Sequence, residues 1–420
     1  MTFPRSSVIV ISRGRPEHLH LCLTSLALQD HPDFEIILVS DEAGHQQRPD
    51  LPVKRLICDQ PNVSEARNMG IAEAAGDIIA FIDDDAVAEP GWLSHLTQPF
   101  LDDRVIASTG WTRDRDGFSW QVRGHCITRT GLIREIPNTD QTVLLKPQPD
   151  EAVSTVGTNC AFRATSLREI GGFDPAFSFH LDESDVNMRM ATAFPAGLTA
   201  IVPQAQVIHA RADGEARRKS QAPLDLSVQG RSAAIFTRRH AGLAPGPELI
   251  ASKRRKLIRR MLDGQVEPLR IEPLLDSLRC GMTSGEKEPL PPTPDPRHDH
   301  PSDFLQAATP KRDWQFLAGW HWHAADLRHR AEVAVRAGKI VTLLLLTPSF
   351  LPHYLRLTEG GWFEQIGGVW GASRSEDPPA RIWRKDVRLK REREIAKQRR
   401  NRYVRTDVRA SYSSGQTSRL

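Results

Sequence analysis

The sequence predicts an α/β protein whose first domain carries a mostly parallel sheet with helices on both faces. Three observations predict it. Short apolar runs recur at "SVIVIS", "FEIILVS", "VKRLIC" and "DIIAFI" within the first 82 residues. Apart from Lys54-Arg55 in the third, these runs are apolar almost without alternation, as befits strands buried on both sides. Segments with helical spacing lie between them, and short strands alternating with helices give a parallel sheet.

The elements follow in order. After "SVIVIS", the segment "PEHLHLCLTSLALQ" places Leu19, Cys22, Leu23 and Leu26 on one helical face, and Pro16-Glu17 suits a helix start. "FEIILVS" ends at Asp41. "NVSEARNMGIAEAAG" reads as a helix stopped near Gly76. "DIIAFI" then runs into Asp83, Asp84 and Asp85. Residues 111–155 read as irregular with short strands. "GTNCAFRATSLREIGGFD" returns to a strand and a short helix. "ESDVNMRMATAF" is helical, "LTAIVPQAQVIHA" gives two short strand pieces, and "QGRSAAIFTRRHAG" is a helix.

The chain has 420 residues, which fits one large domain with an appendage. The expected divisions are a sheet domain over 1–245, a basic helical extension over 246–285 containing "SKRRKLIRRML", and a Pro-rich linker over 286–302. A small accessory module, α/β or mainly helical, occupies 303–380. In it "WQFLAGWHWHAADLRHRAEVAVRAGKIVTLLLLTPSF" reads as a helix followed by a strand. "TEGGWFEQIGGVWGASR" reads as a packed loop or strand pair. A basic helix and disordered tail fill 381–420, with 14 Lys/Arg against 4 Asp/Glu, while the whole chain is only +4. That tail suits anionic lipid headgroups or a solvated helix; a nucleic-acid partner is not expected.

Five scattered cysteines with no CxxC pair exclude a disulfide framework and a cysteine zinc site. The N-terminus lacks a signal-peptide layout, and "IVTLLLL" is too short to span a bilayer. A cytoplasmic protein, at most peripheral at the inner face of the membrane, is expected.

Three adjacent carboxylates at a strand end need a reason. Residues i and i+2 of a strand share a face, so Asp83 and Asp85 can converge while Asp84 points away or turns. The bland reading is a solvated turn. The functional one is a hard divalent cation, Mg²⁺ or Mn²⁺, presented to a diphosphate. Ligands of parallel sheets sit beyond the carboxyl ends of the strands, where Asp41 also lies.

Three stretches then carry a family resemblance. "VIVISRGRPEHLHLCLTSLALQDHPDFEIILVSDEAG", "NVSEARNMGIAEAAGDIIAFIDDDAVAEPGWL" and "GTNCAFRATSLREIGGFDPAFSFHLDESDVNMRM" resemble family 2 glycosyltransferases of GT-A fold, over residues 7–240. The resemblance implies a metal-dependent inverting transfer of a sugar from a UDP- or dTDP-type donor to a hydroxyl of a saccharide or lipid-linked acceptor. Polysaccharide or cell-surface glycan synthesis is the implied setting. It assigns Asp41, Arg67, Asn68, Asp83, Asp84 and Arg13 to the nucleotide, although "SRGR" departs from the family's usual first loop. Asp85, Asp83 and His209 would hold the metal. In "HLDESD", Glu183 takes the place of the general base, with Asp182 the alternative; a lone carboxylate there would otherwise simply favour a helix N-terminus. Asn159, Trp92 and Asp185 would face the acceptor, with Trp111 a second stacking candidate.

Two rivals stand beside this. A sugar-nucleotide pyrophosphorylase would open with a Gly-rich loop, and "SRGRPEHL" has a single glycine. A non-catalytic binding homologue would be expected to lose the metal or base carboxylates, and both are present.

Overall fold

The computed structural model describes residues 3–137, 139–210, 223–307, 310–374 and 376–400. The first domain opens with β1 (Ser6–Ser12), α1 (Pro16–Leu26), β2 (Phe34–Ser40), α2 (Glu42–His45), β3 (Val53–Ile57), α3 (Val63–Glu73) and β4 (Ile78–Asp83). β1 pairs in parallel with both β2 and β4, and β2 with β3. Alternation along these strands splits the core between two faces. Val8, Val10, Ile36, Leu38, Ile78, Ala80 and Ile82 pack with Leu19, Leu23 and Leu26 of α1. Ile9, Ile37, Val39, Ile79 and Phe81 pack on the other side with Ala66 and Ile71 of α3.

After β4 come β5 (Ala86–Ala88), α4 (Trp92–Thr97) and β6 (Val105–Arg113). The 111–155 stretch does form short strands: β7 (Trp120–Val122), β8 (His125–Thr128), β9 (Ile133–Glu135), β10 (Val143–Leu145) and β11 (Glu151–Val153). β12 (Cys160–Arg163) is antiparallel to both β4 and β6, so the sheet is parallel at its N-terminal half and mixed beyond. Then follow α5 (Ala164–Glu169), α6 (Asp182–Ala193) and β13 (Leu198–His209). β13 is one strand rather than two pieces. Its register shifts between Val202 and Gln206, which turns the last residues from β6 alone onto β5 as well, setting His209 opposite Ala86.

Helices α7 (Ser227–Ala241), α8 (Pro247–Leu262) and α9 (Ile271–Lys287) form one helical layer, because Leu226, Leu257, Leu274, Leu275 and Leu278 share a core. A boundary at 245 therefore cuts through a packed unit. The Pro-rich 286–302 segment is a strap rather than a free linker. Arg297 donates to the Asn68 carbonyl at 3.2 Å, Arg168 pairs with Asp299 at 3.3 Å, and just beyond it the Ala307 N–H reaches the Phe34 carbonyl at 2.7 Å.

The C-terminal module is α/β: β14 (Trp314–Trp320), α10 (Ala324–Arg336), β15 (Ile340–Thr347), β16 (Tyr354–Leu357), β17 (Phe363–Gly368) and α11 (Lys385–Arg400). The Trp-rich start is a strand where a helix was expected, since β15 beside it supplies a parallel partner. Leu355, Leu357 and Phe363 pack with Leu28, Phe118 and Ile208, seating the module against the first domain.

α11 is basic, but its end is not offered to a membrane. Arg399 and Arg400 pair with Glu89, Arg400 Nε at 3.0 Å, and all three side chains are buried. Residues 401–420, the rest of the expected basic tail, lie outside the described residues. No described helix is long and apolar enough to cross a membrane.

Candidate active site

A cavity of about 1500 Å³ opens at the carboxyl ends of β1, β2 and β4. Asp41, Arg13, Arg67, all three of Asp83–Asp85, Asp182, Glu183 and His209 stand in its wall. Segments distant in sequence thus converge where an α/β sheet presents its ligand site.

Asp83, Asp85 and His209 offer ligand atoms lying within 4.8 Å of one another. His209 Nε2 is 3.1 Å from Asp85 Oδ1 and 4.0 Å from Asp83 Oδ2. The register of β13 on β5 produces this, reinforced by the Ala210 N–H on the Asp85 carbonyl at 2.9 Å. On its other ring nitrogen, His209 meets Gln121 Oε1 at 3.0 Å. Two carboxylates and one imidazole make a donor set that fits Mn²⁺ or Mg²⁺ with positions left for a diphosphate.

Asp84 is not the outward-pointing member of the trio. It is fully buried, accepting from Ser12 Oγ at 2.7 Å and pairing with Arg15 at 2.8 Å. Arg15 also reaches Asp85 at 3.3 Å. Burial pushes the Asp84 carboxyl up to about 7, against the opposing pull of Arg15. Asp83 and Asp85 do converge, and Asp84 turns into the protein because β4 ends at Asp83 and the chain turns there.

Arg67 links the two halves of the site. The buried guanidinium pairs with Asp182, lies 3.2 Å from Glu183 Oε1, and stands 3.7 Å from Asp83 Oδ1. Burial alone would lower its pKa; the three carboxylates outweigh that and hold it above the usual value. The Asp182 carboxyl is pushed well up, by burial first and then by Glu183. Asp182 is not a cap, because Leu181 occupies that position and the Asp182 side chain turns to Arg67. Ahead of α6, His180 and Leu181 sit at φ of 77° and 66°, a strained approach that swings Asp182 and Glu183 into the cavity. Gly157 faces this point: any Cβ there would collide with Glu183 and Arg67.

Five expected contacts are not made. Trp92 is buried without exposed surface, its indole N–H donating to Asn159 Oδ1 at 2.8 Å, so it offers no stacking face. Asn159 is equally buried and donates to the carbonyls of Trp111 at 3.1 Å and Ala205 at 2.9 Å, tying β6 to β13. Trp111 packs with Cys126, Val153 and Ile201, away from the cavity. Asp185 is buried among Arg189, Arg239 and His240. Asn68 likewise turns from the cavity, clamping both the N–H and the carbonyl of Phe173. Of the nucleotide-side residues, Asp41 caps α2 and accepts from Gly14 N at 2.6 Å, and Arg13 is exposed in the cavity wall. Arg15 and Gln121 escaped sequence reasoning; only the basic "SRGR" loop hinted at the first.

Residues 7–171 match the family model described as Glycosyl transferase family 2. The matched region carries Arg67 and the three aspartates; α6 and His209 lie beyond it. Among curated proteins, the chain is similar to a glucosyl-dolichyl phosphate glucuronosyltransferase of Haloferax volcanii, 25% identical over 177 residues, covering 40% of this chain and 54% of that protein. It is also similar to the uncharacterized glycosyltransferase YwdF of Bacillus subtilis, 32% identical over 102 residues, covering 22% of this chain and 37% of the relative. The chain thus spans about half the length of the first and about a third of the second. A solved mannosyltransferase from Pyrobaculum calidifontis, in complex with GDP-Man and Mn²⁺, aligns with 69% of this chain and 89% of its own at 19% identity and a TM-score of 0.41. The region that matches the family model thus holds β1 to β12 and the aspartate turn, while α6, with Asp182 and Glu183, and β13, with His209, lie outside it.

Proposed function

We propose that this chain is an inverting glycosyltransferase that moves a sugar from a nucleoside diphosphate sugar, of UDP or dTDP type, to a hydroxyl of a saccharide or lipid-linked acceptor. The observation that carries it is the placement of Asp83, Asp85 and His209 and of Asp182 and Glu183 around one cavity, bridged by Arg67. A cation on Asp83, Asp85 and His209, Mn²⁺ or Mg²⁺, would neutralise charge developing on the departing nucleoside diphosphate. Asp41 and Arg13 serve the nucleoside end. Glu183 accepts the proton of the acceptor hydroxyl as that oxygen attacks the anomeric carbon and the bond to the diphosphate oxygen breaks. Arg67 fixes the Glu183 carboxylate and keeps Asp182 from repelling it. Attack from the face opposite the diphosphate inverts the anomeric carbon, giving a β-linked product from an α-linked donor. A cytoplasmic role in glycan synthesis suits this chemistry.

Hydrolysis of a panel of nucleotide sugars with Mn²⁺ or Mg²⁺, with and without chelator, tests the reading. Chelator-sensitive turnover that Asp85→Asn removes is expected. No turnover of any donor, with nucleotide binding unaltered in Asp85→Asn, would replace it with the non-catalytic binding reading.

A further inference from the structure

The C-terminal module meets the first domain at the corner that holds His209. α11 ends in Arg399 and Arg400, and both reach Glu89, the residue after β5. Arg400 grips that buried carboxylate with a fork, Nε to Oε2 at 3.0 Å and Nη2 to Oε1 at 3.1 Å. The fork is fixed from the module's own side. The guanidinium lies 4.1 Å from the centre of the Phe363 ring, and Nη1 donates to Thr342 Oγ1 at 3.4 Å. Thr342 of β15 and Phe363 of β17 are register partners.

Glu89 sits where β13 changes register. Its N–H donates to the Gln206 carbonyl at 3.1 Å, and Gln206 is the residue at which the shift ends. From that bond the pairing runs Ala88 with Val207, Val87 with Ile208 and Ala86 with His209. The Glu89 carbonyl is held too, by Gln29 Nε2 at 3.1 Å. A slip of one residue turns every side chain of a strand to its other face. This register therefore decides whether His209 meets Asp83 and Asp85.

The module also holds a second neighbour of His209. Arg399 Nη1 donates to the Gly117 carbonyl at 3.0 Å, and the Leu355 N–H reaches the Asp116 carbonyl at 2.9 Å. Both carbonyls lie in the turn between β6 and β7, and β7 carries Gln121, the partner of His209 Nδ1.

We propose that the C-terminal module is a brace for the candidate metal site, with Glu89 and Arg400 as positioning residues. Their fork locks β5 onto β13 in the register that brings His209 to Asp83 and Asp85. The metal enters through the transferase reading; the lock on the register does not depend on it.

Two measurements on the full chain test this, one of them without metal. Hydrogen exchange read by mass spectrometry in EDTA should rise over residues 86–89 and 206–209 in Glu89→Gln, because the pairing opens more often once the fork is lost. With Mn²⁺, the same variant should bind about ten-fold more weakly. The nitrogen coupling of His209 should also fade from the electron spin echo of the bound ion. Arg400→Lys keeps the charge, and with it the fold, but not the fork, and should show both effects in smaller measure. Arg328→Gln breaks an ion pair with Glu364 on the α10 face of the module's sheet and should show neither. Native exchange and native Mn²⁺ binding in both Glu89→Gln and Arg400→Lys overturn the proposal. An equal loss in Arg328→Gln overturns it as well, since module stability alone would then account for the effect. Donor hydrolysis by the native chain, with exchange and Mn²⁺ binding unmoved in both variants, defeats this inference alone. Exchange opened by both variants in a chain that hydrolyses no donor defeats the transferase reading alone.

Discussion

His209 is held from both ring nitrogens: Nε2 stands 3.1 Å from Asp85 Oδ1, and Nδ1 donates to Gln121 Oε1 at 3.0 Å. A proton fixed on Nδ1 leaves the Nε2 lone pair aimed at the aspartates, as metal coordination requires. Gln121→Leu should weaken Mn²⁺ binding by about 10- to 100-fold, the usual cost of losing such an outer partner. Manganese titration followed by electron paramagnetic resonance reads this directly. Unchanged affinity in both Gln121→Leu and His209→Ala would remove His209 from the metal set.

Arg15 spans Asp84 at 2.8 Å and Asp85 at 3.3 Å. In Asp84→Asn the guanidinium loses its nearer anion and swings onto Asp85, where it competes with a cation. Metal affinity should fall about ten-fold, or roughly 1.4 kcal/mol. Arg15→Gln added to Asp84→Asn should restore much of it. Metal binding as in the unaltered chain would mean that Asp84 does no more than fill its pocket.

Replacing Arg67 should be costly. Arg67→Ala leaves Asp182 and Glu183 crowded without a cation, and removing one partner of a buried pair costs about 3–5 kcal/mol. Arg67→Lys supplies one point charge where a planar fork reached three carboxylates, so activity should fall even where folding survives. Urea unfolding alongside donor hydrolysis separates the two effects. Full activity in Arg67→Lys would show that charge alone suffices.

Acid should loosen the α6–α7 contact through Asp185. Burial would raise its carboxyl, but His240, Arg189 and Arg239 overcome that and hold it at about 2, below the ordinary 3.8. The unfolded chain therefore binds the proton more readily, and this stabilisation, present above the unfolded value, is lost as pH falls through about 2. The difference amounts to roughly 2 kcal/mol. Urea unfolding between pH 6 and 3 should show a flatter profile for Asp185→Asn; parallel curves would refute the assignment.

How far the residues themselves announced this arrangement varied along the chain. The four apolar runs of the first domain became β1 to β4; β1, β2 and β4 are buried on both faces, which leaves little freedom in pattern, while β3 is the edge strand and keeps Lys54 and Arg55 half-buried and Ile57 exposed. The pairing of Asp83 and Asp85 with His209 was legible through the family resemblance. Its cause was not, since it depends on a register shift in β13 whose only local sign is Pro203. Trp92 and Asn159 misled for a physical reason: a Trp and an Asn that satisfy each other in a core carry the same letters as a pair facing a sugar. Long-range partners such as Arg15 with Asp84, or Gln121 with His209, leave no periodic trace.

The turn bearing Asp83–Asp85 leads through β5 to Glu89, and Glu89 meets Arg400, 311 residues further on. This has a consequence for biosynthesis. At about 5–20 residues per second, the ribosome needs on the order of fifteen seconds to a minute to reach the arginines that neutralise Glu89. Until then Arg113 is the one of the three arginines acting on Glu89 that the chain already holds, and the carboxylate must stay partly wetted. The corner that carries the aspartates, encoded early, thus receives two of its partners late, and a chain cut short before α11 would leave Glu89 without Arg399 and Arg400.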